Sequence, residues 1–127
     1  MIAVDSSTLI AYLEGDSGFD VSVLDEGLRL KHILLPPVVL SEILSSPKLP
    51  AALKELLQTI PLLPVLPGYW ERVGLLRSKV LGKKLKARLA DSLVAQSCLD
   101  HQVALLTRDQ DFKNFEKVSA IKLLKPS

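Results

Sequence analysis

The sequence predicts an α/β fold, a parallel sheet covered on both faces by helices. Short apolar runs bounded by turn residues alternate along the chain with segments of helical periodicity, the order that βαβ crossovers require. The chain has 127 residues, 48% of them hydrophobic, which suits a single domain over residues 1–127 with a single core. Asp5 and Asp109 fall at or just past the carboxyl ends of predicted strands, where parallel sheets open their ligand crevices.

The elements follow in order. Ile2 to Val4 reads as a short buried strand and Ser7 to Glu14 as a helix stopped by Gly15. Leu24 to Lys31 reads as a second helix, and Ile33 to Leu35 as a second strand closed by Pro36-Pro37. Pro37 suits the first turn of the next helix, which carries Glu42 and ends near Ser45-Ser46-Pro47. Ala51 to Thr59 is a further helix. Leu62 to Leu66 reads as a strand between Pro61, Pro64 and Pro67, and missing donors confine such a strand to a sheet edge. The same Pro-x-x-Pro spacing also suits a polyproline ligand, but the aliphatic residues between the prolines favour the edge strand. Tyr69 to Leu81 is a long amphipathic helix with Trp70, Val73, Leu76 and Val80 on one face. Arg88 to His101 is another helix, Val103 to Thr107 a strand, Phe112 to Glu116 a short helix and Ala120 to Leu124 a last strand.

Composition narrows the function. A net charge of +2 is too small to mark a nucleic-acid-binding protein unless the charges are grouped. The single cysteine, Cys98, excludes an intramolecular disulfide framework, fits a reducing compartment and reads as a small buried hydrophobe. His32 and His101 fall in no metal-binding spacing. The charge-free stretch from Leu56 to Tyr69 is too short and too proline-broken to span a bilayer, and no basic segment with an apolar follower opens the chain. A soluble, cytoplasmic protein is expected.

The chemistry lies in carboxylates at awkward places. Asp5, Glu42, Asp91 and Asp109 each lie beside or inside an apolar segment, where an unpaired charge is expensive. Each has a bland reading: helix capping for Asp5, solvation for Glu42, dipole stabilisation for Asp91, turn chemistry for Asp109 and Asp111. Ser6 or Ser7 could cap the first helix, which frees Asp5. Two carboxylates about 5 Å apart at an effective dielectric of about 20 repel by about 3 kcal/mol, so a cluster requires protonation or a cation. Oxygen donors without His or Cys select Mg²⁺ or Mn²⁺ over Zn²⁺.

Four stretches resemble the PIN-domain nucleases: Met1-Ile2-Ala3-Val4-Asp5-Ser6-Ser7, the isolated Glu42, Asp91-Ser92-Leu93-Val94-Ala95-Gln96, and Leu105-Leu106-Thr107-Arg108-Asp109-Gln110-Asp111-Phe112. Within that superfamily the chain is most similar to the VapC-type toxins of toxin–antitoxin pairs. The resemblance implies a five-stranded, mainly parallel sheet in order 3-2-1-4-5. It implies that Asp5, Glu42, Asp91 and Asp109 are catalytic and ligate Mg²⁺ or Mn²⁺, with Ser7 and Thr107 in support. Many relatives carry Asn in place of Asp109, so Asp109 and Asp111 both stand as the fourth carboxylate. It implies also a homodimer and silencing by an antitoxin protein.

The expected reaction is hydrolysis of an RNA phosphodiester by water in a cation-dependent site. Lys83, Lys84, Lys86 and Arg88 form a basic run just before Asp91, and Arg108 sits between Thr107 and Asp109; all five are candidate RNA-phosphate contacts. Three other readings compete. A non-catalytic binding module would have little reason to keep four repelling charges. A phosphoaspartate enzyme of the haloacid-dehalogenase kind would need a second aspartate two residues after Asp5, where Ser7 stands. A nuclease of RNA maturation shares every motif with a toxin.

Overall fold

The computed structural model describes all residues from Met1 to Ser127. Strands β1 (Ile2–Val4), β2 (Ile33–Leu34) and β3 (Ala104–Leu106) form a parallel sheet in the order β2-β1-β3. Ile2 aligns with Ile33 on one side and with Ala104 on the other. β1 is therefore central, and its Ala3 and Val4 are fully buried, as a strand paired on both edges and covered on both faces requires. All three strands point the same way, so the segments that follow Val4, Leu34 and Leu106 emerge at one end of the sheet.

The five-stranded expectation is corrected. Beyond β2, Leu35 makes one parallel bridge to Leu62; beyond β3, Leu105 makes one to Leu123. At the first, Leu35 N–H donates to Pro61 C=O and Leu63 N–H to Leu35 C=O, both at 2.9 Å. The neighbouring rungs of a parallel ladder would need N–H groups from Pro37 and Pro61, which have none. At the second, Leu105 N–H reaches Lys122 C=O at 2.8 Å and Leu124 N–H reaches Leu105 C=O at 2.9 Å. The next donor there would be Pro126, and on the other side Val103 N–H is already spent on Cys98 C=O at 3.1 Å. Proline and helix termination thus stop both outer segments at a single rung.

Helices flank the sheet: α1 (Ser6–Leu13), α2 (Phe19–Arg29), α3 (Pro37–Leu44), α4 (Ala51–Thr59), α5 (Tyr69–Gly82), α6 (Leu89–His101) and α7 (Lys113–Glu116). A single 3-10 turn, Gln110–Phe112, leads into α7. Pro37 occupies the first turn of α3, as expected. α2 starts five residues earlier than predicted, because Gly18 supplies the entry at φ 142° and the first-turn Asp20 is neutralised by partners from elsewhere in the chain. α2 also approaches β2 closely: a Cβ at Gly27 would lie 2.5 Å from Ile33 Cδ1 and 3.0 Å from its Cγ1, so a larger residue there requires the Ile33 side chain to move.

The buried face of α5 is Tyr69, Val73, Leu76 and Val80. Trp70, placed on that face from the sequence, is instead 66% exposed, since the residue one position earlier completes the i, i+4, i+7, i+11 stripe. α5 packs on α6 through polar contacts as well. Tyr69 Oη donates to Leu93 C=O at 2.7 Å, and Arg72 meets Asp100 through two bonds of 2.9 and 2.6 Å. Cys98 on α6 is buried, and burial pushes its thiol up to about 12. His101 contacts Pro64 C=O at 2.7 Å, and His32 lies on the surface. No helix is long and apolar enough to cross a membrane.

Candidate metal centre

Carboxylate oxygens of Asp91, Asp109 and Asp111 all lie within 4.8 Å of one another. Local backbone structure brings them together. Asp91 is in the first turn of α6 and buried. Asp109 is the N-cap of the 3-10 turn, accepting Asp111 N–H at 2.9 Å, while its own N–H donates to Thr107 Oγ1 at 3.0 Å. The turn that caps itself with Asp109 thus sets Asp111 beside it. Asp109 and Asp111, the alternatives left open by the sequence, both lie in this cluster.

Asp5 stands next to this group and is joined to it through Thr107. It accepts Thr107 Oγ1–H at 2.6 Å and Ser7 Oγ–H at 2.8 and 3.0 Å. It also accepts Thr8 N–H at 3.2 Å and is the N-cap of α1. The expectation that Ser6 or Ser7 would cap this helix is corrected: α1 begins at Ser6, which puts Asp5 at the capping position. Burial pushes the Asp5 carboxyl up to about 6 against the lowering effect of the Thr107, Ser7 and Thr8 hydrogen bonds, with the Asp109 charge adding to the rise. Ser7 also accepts Arg108 N–H at 3.3 Å, so one hydroxyl ties the end of β1 to the loop after β3.

Glu42 is exposed and lies outside the close trio. Its nearest polar partner is Ser6 Oγ at 3.5 Å. Partial burial raises its pKa first, and the charge of Asp91 raises it further; Asp91 itself is raised by burial against the pull of Arg88, with Asp109 and Asp111 adding to the rise. These shifts put Glu42 and Asp91 in one electrostatic neighbourhood.

The basic residues divide. Lys83 and Lys84 are exposed in the loop between α5 and α6, where Lys84 adopts φ 59°. Lys86 and Arg88, from the same loop, turn toward the carboxylates. Lys86 Nζ lies 3.2 Å from Asp111, and Arg88 contacts Asp91 at 3.1 and 3.3 Å and Asp109 at 3.0 Å. Arg108 turns away to Asp20, with two bonds of 2.8 Å, and to Asp16 at 3.5 Å. Its guanidinium ties the entry of α2 to the end of β3.

The sequence profile described as "PIN domain" matches residues 2–118. The chain belongs to the PIN-domain family. The PIN domain here also superposes on solved structures of low sequence identity. One is VapBC2 from Rickettsia felis bound to a DNA fragment from their promoter, with a TM-score of 0.74, 17% identity and 98% of each chain covered. Another is FitAcB from Neisseria gonorrhoeae, with a TM-score of 0.69, 16% identity, and 98% of this chain and 97% of that chain covered. No curated protein matches. PIN domains are generally nucleases and typically use divalent metals.

The donor set of this PIN domain fits such an ion. Opposite oxygens around an octahedral Mg²⁺ are about 4.2 Å apart, so oxygens within 4.8 Å of one another need only small side-chain rotations to share one. All are hard donors, the class that Mg²⁺ and Mn²⁺ prefer. Sequence reasoning missed Asp20, which is buried and held by both Thr8 Oγ1 and Arg108. The signal was an aspartate flanked by Phe19 and Val21. It missed also that Ser6 faces Glu42.

Proposed function

We propose that this PIN domain, acting as one unit over residues 1–127, is a divalent-cation-dependent endoribonuclease and the toxin of a type II toxin–antitoxin pair. The observation that carries the nuclease reading is the convergence of Asp91, Asp109 and Asp111 within 4.8 Å, beside the buried Asp5, at the carboxyl end of a parallel sheet. Asp91, Asp109 and Asp111 would hold Mg²⁺ or Mn²⁺, with Asp5 and Glu42 completing the acidic wall. A cation there supplies stabilisation of charge on the phosphoryl oxygens and acidifies water at neutral pH. Thr107 and Ser7 hold Asp5 in place by donating to it. Asp5, buried beside the trio and held by these hydroxyls, would add a further carboxylate to the cation-binding wall. Lys83, Lys84, Lys86 and Arg88 would meet the RNA backbone; Arg108, engaged by Asp20, contributes by shaping the rim.

The toxin reading rests on the family and on the solved neighbours, one of which is a VapBC assembly. It carries two partners, an antitoxin protein and a second copy of the chain. Trp70 and Leu75 on α5, each 66% exposed, supply apolar surface for such contacts. The test is cleavage of RNA by purified protein with Mg²⁺ or Mn²⁺, lost with chelator, and arrest of growth on expression. Cleavage that persists in a verified Asp5→Asn variant would overturn the site, and a strict monomer by light scattering would overturn the dimer.

A further inference from the structure

Arg88 holds an unusual position for a residue of a phosphate-binding run. Its guanidinium bridges two carboxylates of the cluster, Asp91 at 3.1 Å and Asp109 at 3.0 Å. Those oxygens belong to the groups whose mutual spacing suits a divalent cation. A guanidinium and a metal ion cannot share the same lone pairs at full strength. The side chain reaches in from solvent: it is 56% exposed, while Asp91 and Asp109 are 10% and 24% exposed. Its backbone is anchored independently, because Arg88 C=O accepts both Ser92 N–H and Ser92 Oγ–H at 3.0 Å. The guanidinium can therefore swing out while α6 keeps its first turn.

Resting on the nuclease reading above, we propose that Arg88 is an internal counter-ion that a divalent cation must displace, so that this residue sets the cation affinity of the site. Without it, three carboxylates face one another with only Lys86, 63% exposed and 3.2 Å from Asp111, to offset them. The cation then binds a cluster whose repulsion is unrelieved. Arg88 weakens cation binding by stabilising the cation-free cluster, and Lys86 does the same to a smaller degree.

The experiment is Mn²⁺ titration by calorimetry on the wild-type protein, Arg88→Gln and Arg88→Lys, with circular dichroism to verify the fold. Losing a half-exposed pair worth about 1 kcal/mol corresponds to about fivefold tighter binding in Arg88→Gln. Arg88→Lys keeps a charge without the two-oxygen fork and should fall between the two. The added Mn²⁺ should also raise the Tm of Arg88→Gln more than that of wild type. Equal or weaker Mn²⁺ binding by folded Arg88→Gln overturns the proposal. Should that variant fail to fold, Arg88→Lys decides on the same criterion. A wild-type protein that binds no Mn²⁺ overturns the nuclease reading itself, a different result.

Discussion

Asp91 and Asp100 sit on the same helix, each buried against a guanidinium, and their acidities move in opposite directions. Asp100 has Arg72 to itself through bonds of 2.9 and 2.6 Å, with Gln96 Nε2 donating at 2.8 Å. The Arg72 hydrogen bonds hold its carboxyl below the usual range. Asp91 has longer bonds of 3.1 and 3.3 Å to Arg88, whose Nη2 is shared with Asp109 at 3.0 Å. Burial keeps its pKa raised, with Asp109 and Asp111 adding their repulsion. One aspartate is a finished ion pair that fastens α5 to α6. The other belongs to a cluster with more negative charge than its neighbours neutralise, and that surplus is what makes it suitable for a cation.

The largest effect should come from substituting the two aspartates in parallel. Asp91→Asn should reduce RNA cleavage by about a hundredfold or more, at or beyond the upper end of the roughly ten- to hundredfold cost of losing a group that only supports a metal ligand, while apo Tm holds or rises. Asp100→Asn should retain cleavage and lower Tm, because Arg72 loses its partner. Equal cleavage loss in both variants would erase the distinction.

Asp5 extends the contrast to pH. Its folded pKa of about 6 exceeds the ordinary 3.8, so between those values the folded state binds more protons than the unfolded chain. Its contribution to stability is therefore complete below about pH 4 and declines as pH rises to 6. Raising a carboxyl from 3.8 to about 6 corresponds to about 3 kcal/mol of lost stability at higher pH. With chelator present, Asp5→Asn should gain up to about that amount at pH 8 and little at pH 4, read by urea unfolding. Asp100 has the opposite sign, since its lowered pKa stabilises at neutral pH and the gain disappears on acidification.

The basic run should yield the smallest change. Replacing Lys83, Lys84, Lys86 and Arg88 together by Ala should flatten the salt dependence of RNA binding by about 1.4 to 2.1 in the log–log slope, for two or three lost phosphate contacts. Binding measured across a salt series in an Asp5→Asn background, where substrate survives, reads this directly. An unchanged slope would assign Lys86 and Arg88 to the carboxylates alone.

Local signals made much of this architecture readable. The run before Asp5, the Pro37 start of α3 and the loop carrying Asp109 and Asp111 need only neighbours in sequence, and they are where expected. The outer strands were overestimated because a proline stops a ladder only when register turns its missing donor toward the partner. Register is tertiary information. Trp70 and Tyr69 both complete apolar stripes of similar quality, and packing on Leu93 and Ser97 selects Tyr69. The Arg108–Asp20 pair joins residues 88 apart in sequence. Arg88 likewise reads as one more cation in a basic loop until the fold sets Asp109, 21 residues on, against it.

The proposed reaction is hydrolysis of RNA by water at a carboxylate-held cation. The chemistry of the product ends tests it most directly. A defined RNA, and the same RNA with a 2′-deoxy residue at the cleaved position, should be cut by wild-type protein with Mn²⁺ and by neither Asp91→Asn nor chelator-treated enzyme. Both substrates should yield linear phosphate ends, because water rather than the 2′-hydroxyl attacks phosphorus. A 2′,3′-cyclic phosphate product, a deoxy-substituted RNA that resists cleavage, or cutting that survives chelator would contradict this mechanism.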